Sequence, residues 1–82
     1  MEISVRYFAA AQAAAGVEET VVQLTDKATL ADLENLLGQA NPQLAEVLPR
    51  CSYLRESIAV RDRSRALSSG DTVDVLPPFA GG

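Results

Sequence analysis

The sequence predicts an α+β domain in which a mixed β-sheet carries one main helix packed on one face. Three observations carry that expectation. Glu2 to Phe8 and Thr72 to Leu76 alternate with the period of two of a half-buried strand. Between them, Leu30, Leu33, Leu36 and Leu37 recur at helical spacing. The order strand, short helix, strand, long helix, strands, final strand sets helices against a sheet rather than in a bundle of their own. A chain of 82 residues supplies one small core and no second domain, so residues 1–76 are expected to form the folded domain and 77–82 an extended tail.

In the first strand Ile3, Val5 and Tyr7 share one face and Ser4, Arg6 and Phe8 the other. The run Ala9 to Ala15 is nearly all alanine, the best helix former, and stops at Gly16, a residue suited to a left-handed helix end. So short a helix must be held by packing. Val17 to Thr25 reads as a second strand, closed by the turn residues Thr25, Asp26 and Lys27. Thr29 caps the main helix, with Asp32 in its first turn favoured by the helix dipole, and Gly38 followed by Asn41 and Pro42 closes it. Pro42 is placed to start a short helical segment that runs to Leu48 and is interrupted by Pro49. Residues 50–56 carry no clear period. Ile58 and Val60 mark a third strand, Asp62-Arg63-Ser64 a turn and Ala66-Leu67 a short return. Ser68-Ser69-Gly70-Asp71 is the turn before the last strand, whose Val73 and Val75 face one way.

Composition excludes several functions. Acidic residues outnumber basic ones 11 to 7, a formal charge of −4, which argues against a phosphate-neutralising groove and hence against a nucleic-acid partner. No run of about 18 apolar residues is present to cross a bilayer. The opening Met1-Glu2-Ile3-Ser4-Val5 has neither the basic leader nor the apolar block of a signal peptide. The expected location is cytoplasmic, with no membrane partner. Without histidine, neither a Ser/His/Asp nor a Cys/His nucleophile system can be assembled from this chain alone. The single cysteine, Cys51, excludes an internal disulfide and an ordinary structural zinc site. No metal is expected.

In its apolar setting Cys51 is expected to be a small buried thiol, with Arg50 the only neighbour favouring a thiolate. The carboxylates Glu18 and Glu19 point to opposite faces of the expected strand, and Asp71 lies in a turn where aspartate bonds local amides. Neither these nor the Asp71/Asp74 and Asp32/Glu34 pairs have a spacing suited to joint acid–base work, so structural or solvated roles are expected. The glycines at 16, 38 and 70 are isolated and form no phosphate-cradling loop, so no cofactor or nucleotide is expected to bind.

The element order fits a β-grasp arrangement, in which the first and last strands lie parallel and adjacent in the middle of the sheet. Their ends then coincide in space. There Phe8 shares a face with Ser4 and Arg6, and Leu76 with Thr72 and Asp74, so both large apolar residues fall out of phase with the core. They are expected to form an exposed docking patch unless the short alanine helix covers them.

After Leu76 the sequence reads Pro77-Pro78-Phe79-Ala80-Gly81-Gly82. Consecutive prolines cannot donate to a sheet and favour an extended conformation, so they should stop the strand and project the last residues away from the body. Six residues at about 3.3 Å each reach roughly 20 Å, enough to enter a neighbouring protein's cleft. Gly81 and Gly82, without Cβ, let the backbone thread a narrow channel and bring a terminal carboxylate to an active site. A free α-carboxylate, with a pKa of about 3.5, is ionised and a poor electrophile. It must be activated by another protein, for instance by adenylation with ATP, before sulfur or an amine attacks it. The chain is then a substrate.

Several segments together resemble the MoaD/ThiS family of ubiquitin-like sulfur carriers, and within it the small subunits of molybdopterin synthase. They are Val5-Arg6-Tyr7-Phe8-Ala9 ahead of a short helix and Gly16, Thr29-Leu30-Ala31-Asp32-Leu33, Ile58-Ala59-Val60, Leu67 to Val73, and above all the ending Pro77-Pro78-Phe79-Ala80-Gly81-Gly82. The resemblance covers essentially the whole chain; related thiamine-pathway carriers typically lack the paired prolines. It implies that Gly82 is adenylated by a ubiquitin-activating-like adenylyltransferase, which uses the ATP, and is converted to a thiocarboxylate by a sulfur donor system. It implies also that the tail, Pro77, Pro78, Phe79, Ala80, Gly81 and Gly82, inserts into the large subunit of molybdopterin synthase. There cyclic pyranopterin monophosphate receives two sulfurs, in a heterotetramer with a small subunit at each end of a large-subunit dimer.

By the same resemblance this chain is the non-catalytic, sulfur-donating subunit of a sulfurtransferase, and Phe8 and Leu76 match the family's hydrophobic contact surface. Two features depart from the family pattern. Arg61 stands where an asparagine is common, and the stretch from Val60 to Leu67 is short, which leaves no position for an interface residue usual in that hairpin. Alternatives are a carrier serving thiamine, cysteine or tRNA thiolation, a ubiquitin-like modifier joined through Gly82 to lysines, and a binding module whose tail is never activated.

Overall fold

The computed structural model describes residues 1–78. Strands β1 (Glu2–Tyr7), β2 (Glu19–Gln23), β3 (Ser52–Arg55), β4 (Ile58–Ala59) and β5 (Thr72–Leu76) form one sheet in the order β2-β1-β5-β3-β4. At its centre β1 and β5 run parallel, with Val5 beside Val73 and Tyr7 beside Val75, and the other neighbours are antiparallel. Helices α1 (Ala9–Ala15), α2 (Leu30–Ala40) and α3 (Pro42–Val47) precede a 3₁₀ turn at Leu48–Arg50. This is the β-grasp architecture.

Register decides which side chains reach the core. Ile3, Val5, Tyr7, Tyr53, Val73 and Val75 are buried in one cluster with Leu30, Leu33 and Leu37 of α2, Leu44 of α3 and Leu48. The helices hold their positions through local chemistry. Gly16 ends α1 at φ 79°, its N–H donating to the Gln12 carbonyl. Thr29 and Asp32 make a reciprocal capping box at the start of α2, the Thr29 N–H donating to Asp32 Oδ2 and the Asp32 N–H to Thr29 Oγ1. Asn41 both ends α2 and caps α3, accepting from the Gln43 and Leu44 N–H groups, while its Nδ2 donates to the Ala14 carbonyl.

Four details differ from the sequence reading. Gly38 lies inside α2 rather than closing it: an added Cβ would stand 3.3 Å from the Cβ of Ala45, so the glycine serves the approach of α3. Leu36 is exposed, because α2 meets the core through the narrower stripe of Leu30, Leu33 and Leu37. The second strand starts at Glu19 and stops at Gln23, so Glu18 lies ahead of it and gives its carbonyl to the Tyr7 N–H. Residues 52–55, without a visible period, are a strand.

Arg55 is what hides that strand. It occupies a position beside Val73 on the core face, which breaks the apolar alternation. The side chain is tolerated because it reaches the end of the sheet and donates to Asp71 Oδ2, the Ala66 carbonyl and Ser68 Oγ. The short stretch after β4 is held in a similar way. Arg63 donates to Glu34 Oε2 and the Cys51 carbonyl, its own carbonyl accepts from the Ala31 N–H, and an isolated antiparallel bridge joins Thr29 to Ala66.

Candidate functional site

Because β1 and β5 are parallel, their C-terminal ends emerge at the same pole of the sheet, where the tail leaves the domain. Phe8 continues β1 in an extended conformation, φ −125° and ψ 148°, and its N–H donates to the Val75 carbonyl at 3.2 Å. One step beyond the Tyr7–Val75 pair, Phe8 therefore stands opposite Leu76 on the sheet face that the helices leave open. Phe8 is 39% exposed and Leu76 partly buried, and neither belongs to the core cluster. The alanine helix does not cover the phenylalanine.

Between these two apolar residues and the rest of the open face lies an ion pair that the sequence reading did not single out. Arg6 Nε donates to Asp74 Oδ1 at 2.6 Å and its Nη2 to Asp74 Oδ2 at 2.8 Å, a two-pronged contact across the parallel pair. The Asp74 bond holds the Arg6 guanidinium above its ordinary pKa, with the Coulomb attraction of Asp74 next and Glu19 adding a smaller part. The guanidinium also lies 5.7 Å from the centre of the Phe8 ring. The signal was present in the parallel register: once β1 and β5 are paired, Arg6 and Asp74 are neighbours on the same face as Phe8.

β5 ends at Leu76, as the prolines require. Pro77 is still buried and Pro78 is exposed. Phe79, Ala80, Gly81 and Gly82, the remaining expected tail residues, lie outside the described residues. Next in sequence to Phe8, a shallow hollow of about 490 Å³ is lined by Ala9, Gln12, Ala13, Gly16, Val17 and Glu18 of the α1 region. The pole thus offers small and apolar side chains around the Arg6–Asp74 pair, with Gln12 and Glu18 beside them.

Cys51, Asp32, Glu34 and Asp71, considered from sequence, have structural partners. Cys51 is buried, its Sγ lies 3.3 Å from the Val47 carbonyl, and burial pushes its thiol up, opposed by Arg63 rather than Arg50. The Tyr53 hydroxyl donates to Glu34 Oε2 at 2.7 Å, and burial followed by that bond drives its pKa upward. Asp71 accepts from the Ser68 N–H at 2.8 Å and from Arg55, the turn role expected of it. Asp32 is spent in the capping box. Among the described residues no group of three or more metal-ligating side chains comes together, and no helix is long and apolar enough to cross a membrane.

Comparison with known proteins places this geometry in a family. The ThiS family matches residues 5–82. The chain is 37% identical to the molybdopterin synthase sulfur carrier subunit of Chlamydomonas reinhardtii and 33% identical to the small archaeal modifier protein 3 of Haloferax volcanii, in each case over all of both chains. Among solved structures, SAMP1 from Haloferax volcanii superposes with a TM-score of 0.87 at 26% identity over all of both chains. A chain of the complex of subunits 1 and 2 of the molybdopterin-converting factor from Helicobacter pylori 26695 superposes with a TM-score of 0.72 at 26% identity, again over all of both chains. By sequence over its whole length and by its ubiquitin-like β-grasp fold, the chain belongs to the ThiS family, the MoaD/ThiS group of sulfur carriers.

Proposed function

We propose that this chain is a cytoplasmic sulfur carrier that serves as the small subunit of a molybdopterin synthase. The observation that carries the reading is the 37% identity, over all of both chains, with the Chlamydomonas reinhardtii carrier subunit, together with the motif Pro77-Pro78-Phe79-Ala80-Gly81-Gly82. An adenylyltransferase of the ubiquitin-activating kind joins the Gly82 carboxylate to the α-phosphate of ATP and releases pyrophosphate. Hydrosulfide supplied by the donor system then displaces AMP, leaving a thiocarboxylate at Gly82. In the large subunit this sulfur passes to cyclic pyranopterin monophosphate and water restores the carboxylate. The ATP belongs to the activating enzyme, and this chain binds no cofactor of its own.

The contributions of the chain are mechanical. Phe8 and Leu76 dock on the large subunit, and the stiff Pro77-Pro78 base aims Phe79 to Gly82 into its cleft. The test is the intact mass of the protein after incubation with activating enzyme, ATP and sulfur donor. The expected result is a gain equal to the exchange of one oxygen for sulfur, absent when Gly82 is deleted; an unchanged mass, while a control carrier is modified, overturns the reading. Phe8→Ala is expected to weaken binding to the large subunit about tenfold or more, roughly 1.4 kcal/mol, as an apolar anchor does. Its thermal melt should stay close to that of the parent, since the ring is outside the core.

The identity with small archaeal modifier protein 3 favours a second reading, attachment through Gly82 to lysine amines. Adducts that survive thiol reductants and hydroxylamine, mapped to a lysine by mass spectrometry, would select it.

A further inference from the structure

At the tail pole the chain passes from strand to helix in very little space, and both ends of that passage are fixed. Phe8 is still held to the sheet, its N–H donating to the Val75 carbonyl at 3.2 Å. Only Ala9 and Ala10 separate it from Ala11, which is buried in the core cluster. The Phe8 carbonyl accepts from the Ala11 N–H at 3.0 Å and the Gln12 N–H at 3.4 Å, closing the first turn of α1 directly against the end of β1. The reversal falls on Ala9, which takes φ 50°. In that left-handed region the Cβ of an L-residue crowds the following carbonyl, so glycine is at ease there and alanine is strained.

Three other residues with a Cβ take positive φ among the described residues, and each stands in a turn with a polar side chain. Lys27 lies in the turn after β2. Glu56 and Ser57 form the two-residue turn of the β3–β4 hairpin, a geometry that asks for positive φ at both central positions. The Glu56 side chain also has a use inside the domain, since its Oε1 accepts the Thr72 N–H. Ala9 has only a methyl group. That methyl is outside the core cluster, can make no polar bond, and belongs to an exposed residue. For folding alone, glycine would serve better at this position.

We propose that Ala9 is a contact residue of the docking surface, its methyl group presented beside Phe8 to the large subunit of the synthase. The strained turn is kept because a glycine would leave that contact empty. The proposal rests on the reading of Phe8 as a docking residue, and it extends the surface from the open sheet face onto the start of α1. A tight interface has no room for a missing methyl at its packed centre, whereas the free chain loses nothing by its removal.

The test measures melting temperature and binding on the same variants, with the large subunit of molybdopterin synthase from the same organism as the calorimetric titrant. Ala9→Gly is expected to raise the melting temperature by about 4 °C, because relief of the left-handed strain exceeds the extra freedom of glycine in the unfolded chain. It should also weaken binding about fourfold, as the loss of one buried methyl does. A merely structural role would not give opposite signs. D-alanine, placed at position 9 by chemical synthesis of the full chain, takes positive φ without strain but directs its methyl where the L-residue has its hydrogen. It should melt at least as high as Ala9→Gly and bind as weakly.

Phe8→Ala separates this proposal from the reading beneath it. If Phe8→Ala binds as the parent does, the docking reading fails and takes the proposal with it. If Phe8→Ala is weakened while Ala9→Gly keeps the parent's affinity, the docking reading stands and the proposal alone is overturned. A lower melting temperature in Ala9→Gly overturns it by showing that alanine is not strained there. Parent affinity in the D-alanine chain overturns it too, by showing that the turn sets the position of Phe8 and that the methyl touches nothing.

Discussion

Arg6 joins two properties of the tail pole that would otherwise be independent, the burial of Asp74 and the placement of Phe8. The Asp74 side chain is 8% exposed and takes both of its charged bonds from Arg6, whose own side chain is 47% exposed. Removing the arginine strands a carboxylate that has little access to water, which costs more than the exposed pair contributes when intact. Arg6→Met is therefore expected to lower stability, and Arg6→Met with Asp74→Leu to recover part of the loss, in a double-mutant cycle read by urea denaturation. Simple additivity of the two changes would contradict this. Gly16 poses a cleaner question at the same scale. An added Cβ there meets nothing within 4 Å, so Gly16→Ala should cost only the left-handed backbone conformation, about 1 kcal/mol, and Gly16→Asn less.

Among the elements, the three helices depend on one side chain. Asn41 caps α3 through two N–H groups and ties α1 to the pair through the Ala14 carbonyl. Asn41→Ala loses a cap worth about 1 kcal/mol and a neutral hydrogen bond worth about 1 kcal/mol, so a loss of roughly 2 kcal/mol is expected by chemical denaturation. Asn41→Asp should retain the capping part, since an aspartate oxygen accepts the same N–H groups but cannot donate to Ala14. The legibility of the elements depends on how far each obeys its own period. β1, β5, the limits of α1 and the cap of α2 could be read because alternation, alanine content and capping residues are local properties. The strand at 52–55 could not, because Arg55 stands on the core face for a partner sixteen positions away, Asp71. Gly38 reads locally as a helix end, yet its cause is Ala45 in the next helix. Of the site, Phe8 and Leu76 were legible from strand phase, whereas Arg6 with Asp74 required the parallel pairing of the two chain ends to be known first.

At the scale of the whole molecule, the β-grasp topology separates two poles along its central strands, with the tail leaving β5 at one and the Asp71 turn at the other. The core between them is where titration couples to folding. Burial raises the pKa of Cys51 above its ordinary 9.0 and those of Tyr7 and Tyr53 above their ordinary 10.0. For each of these groups the folded state retains the proton that the unfolded chain releases once the pH passes the ordinary value. Their contribution to stability is thus fully present below about pH 9 and is lost as pH rises. Each group still protonated in the folded state and ionised in the unfolded one steepens the decline by about 1.4 kcal/mol per pH unit. Thermal melts from pH 7 to about pH 11 should therefore fall first near pH 9 and more steeply above pH 10. Cys51→Ala should remove the first bend, at the cost of a small cavity that lowers the whole curve. Tyr53→Phe should flatten the second while leaving Glu34 with Arg63 as its partner. Melting temperatures that stay level across this range, or a first bend that persists without Cys51, would show that these buried groups do not set the alkaline limit.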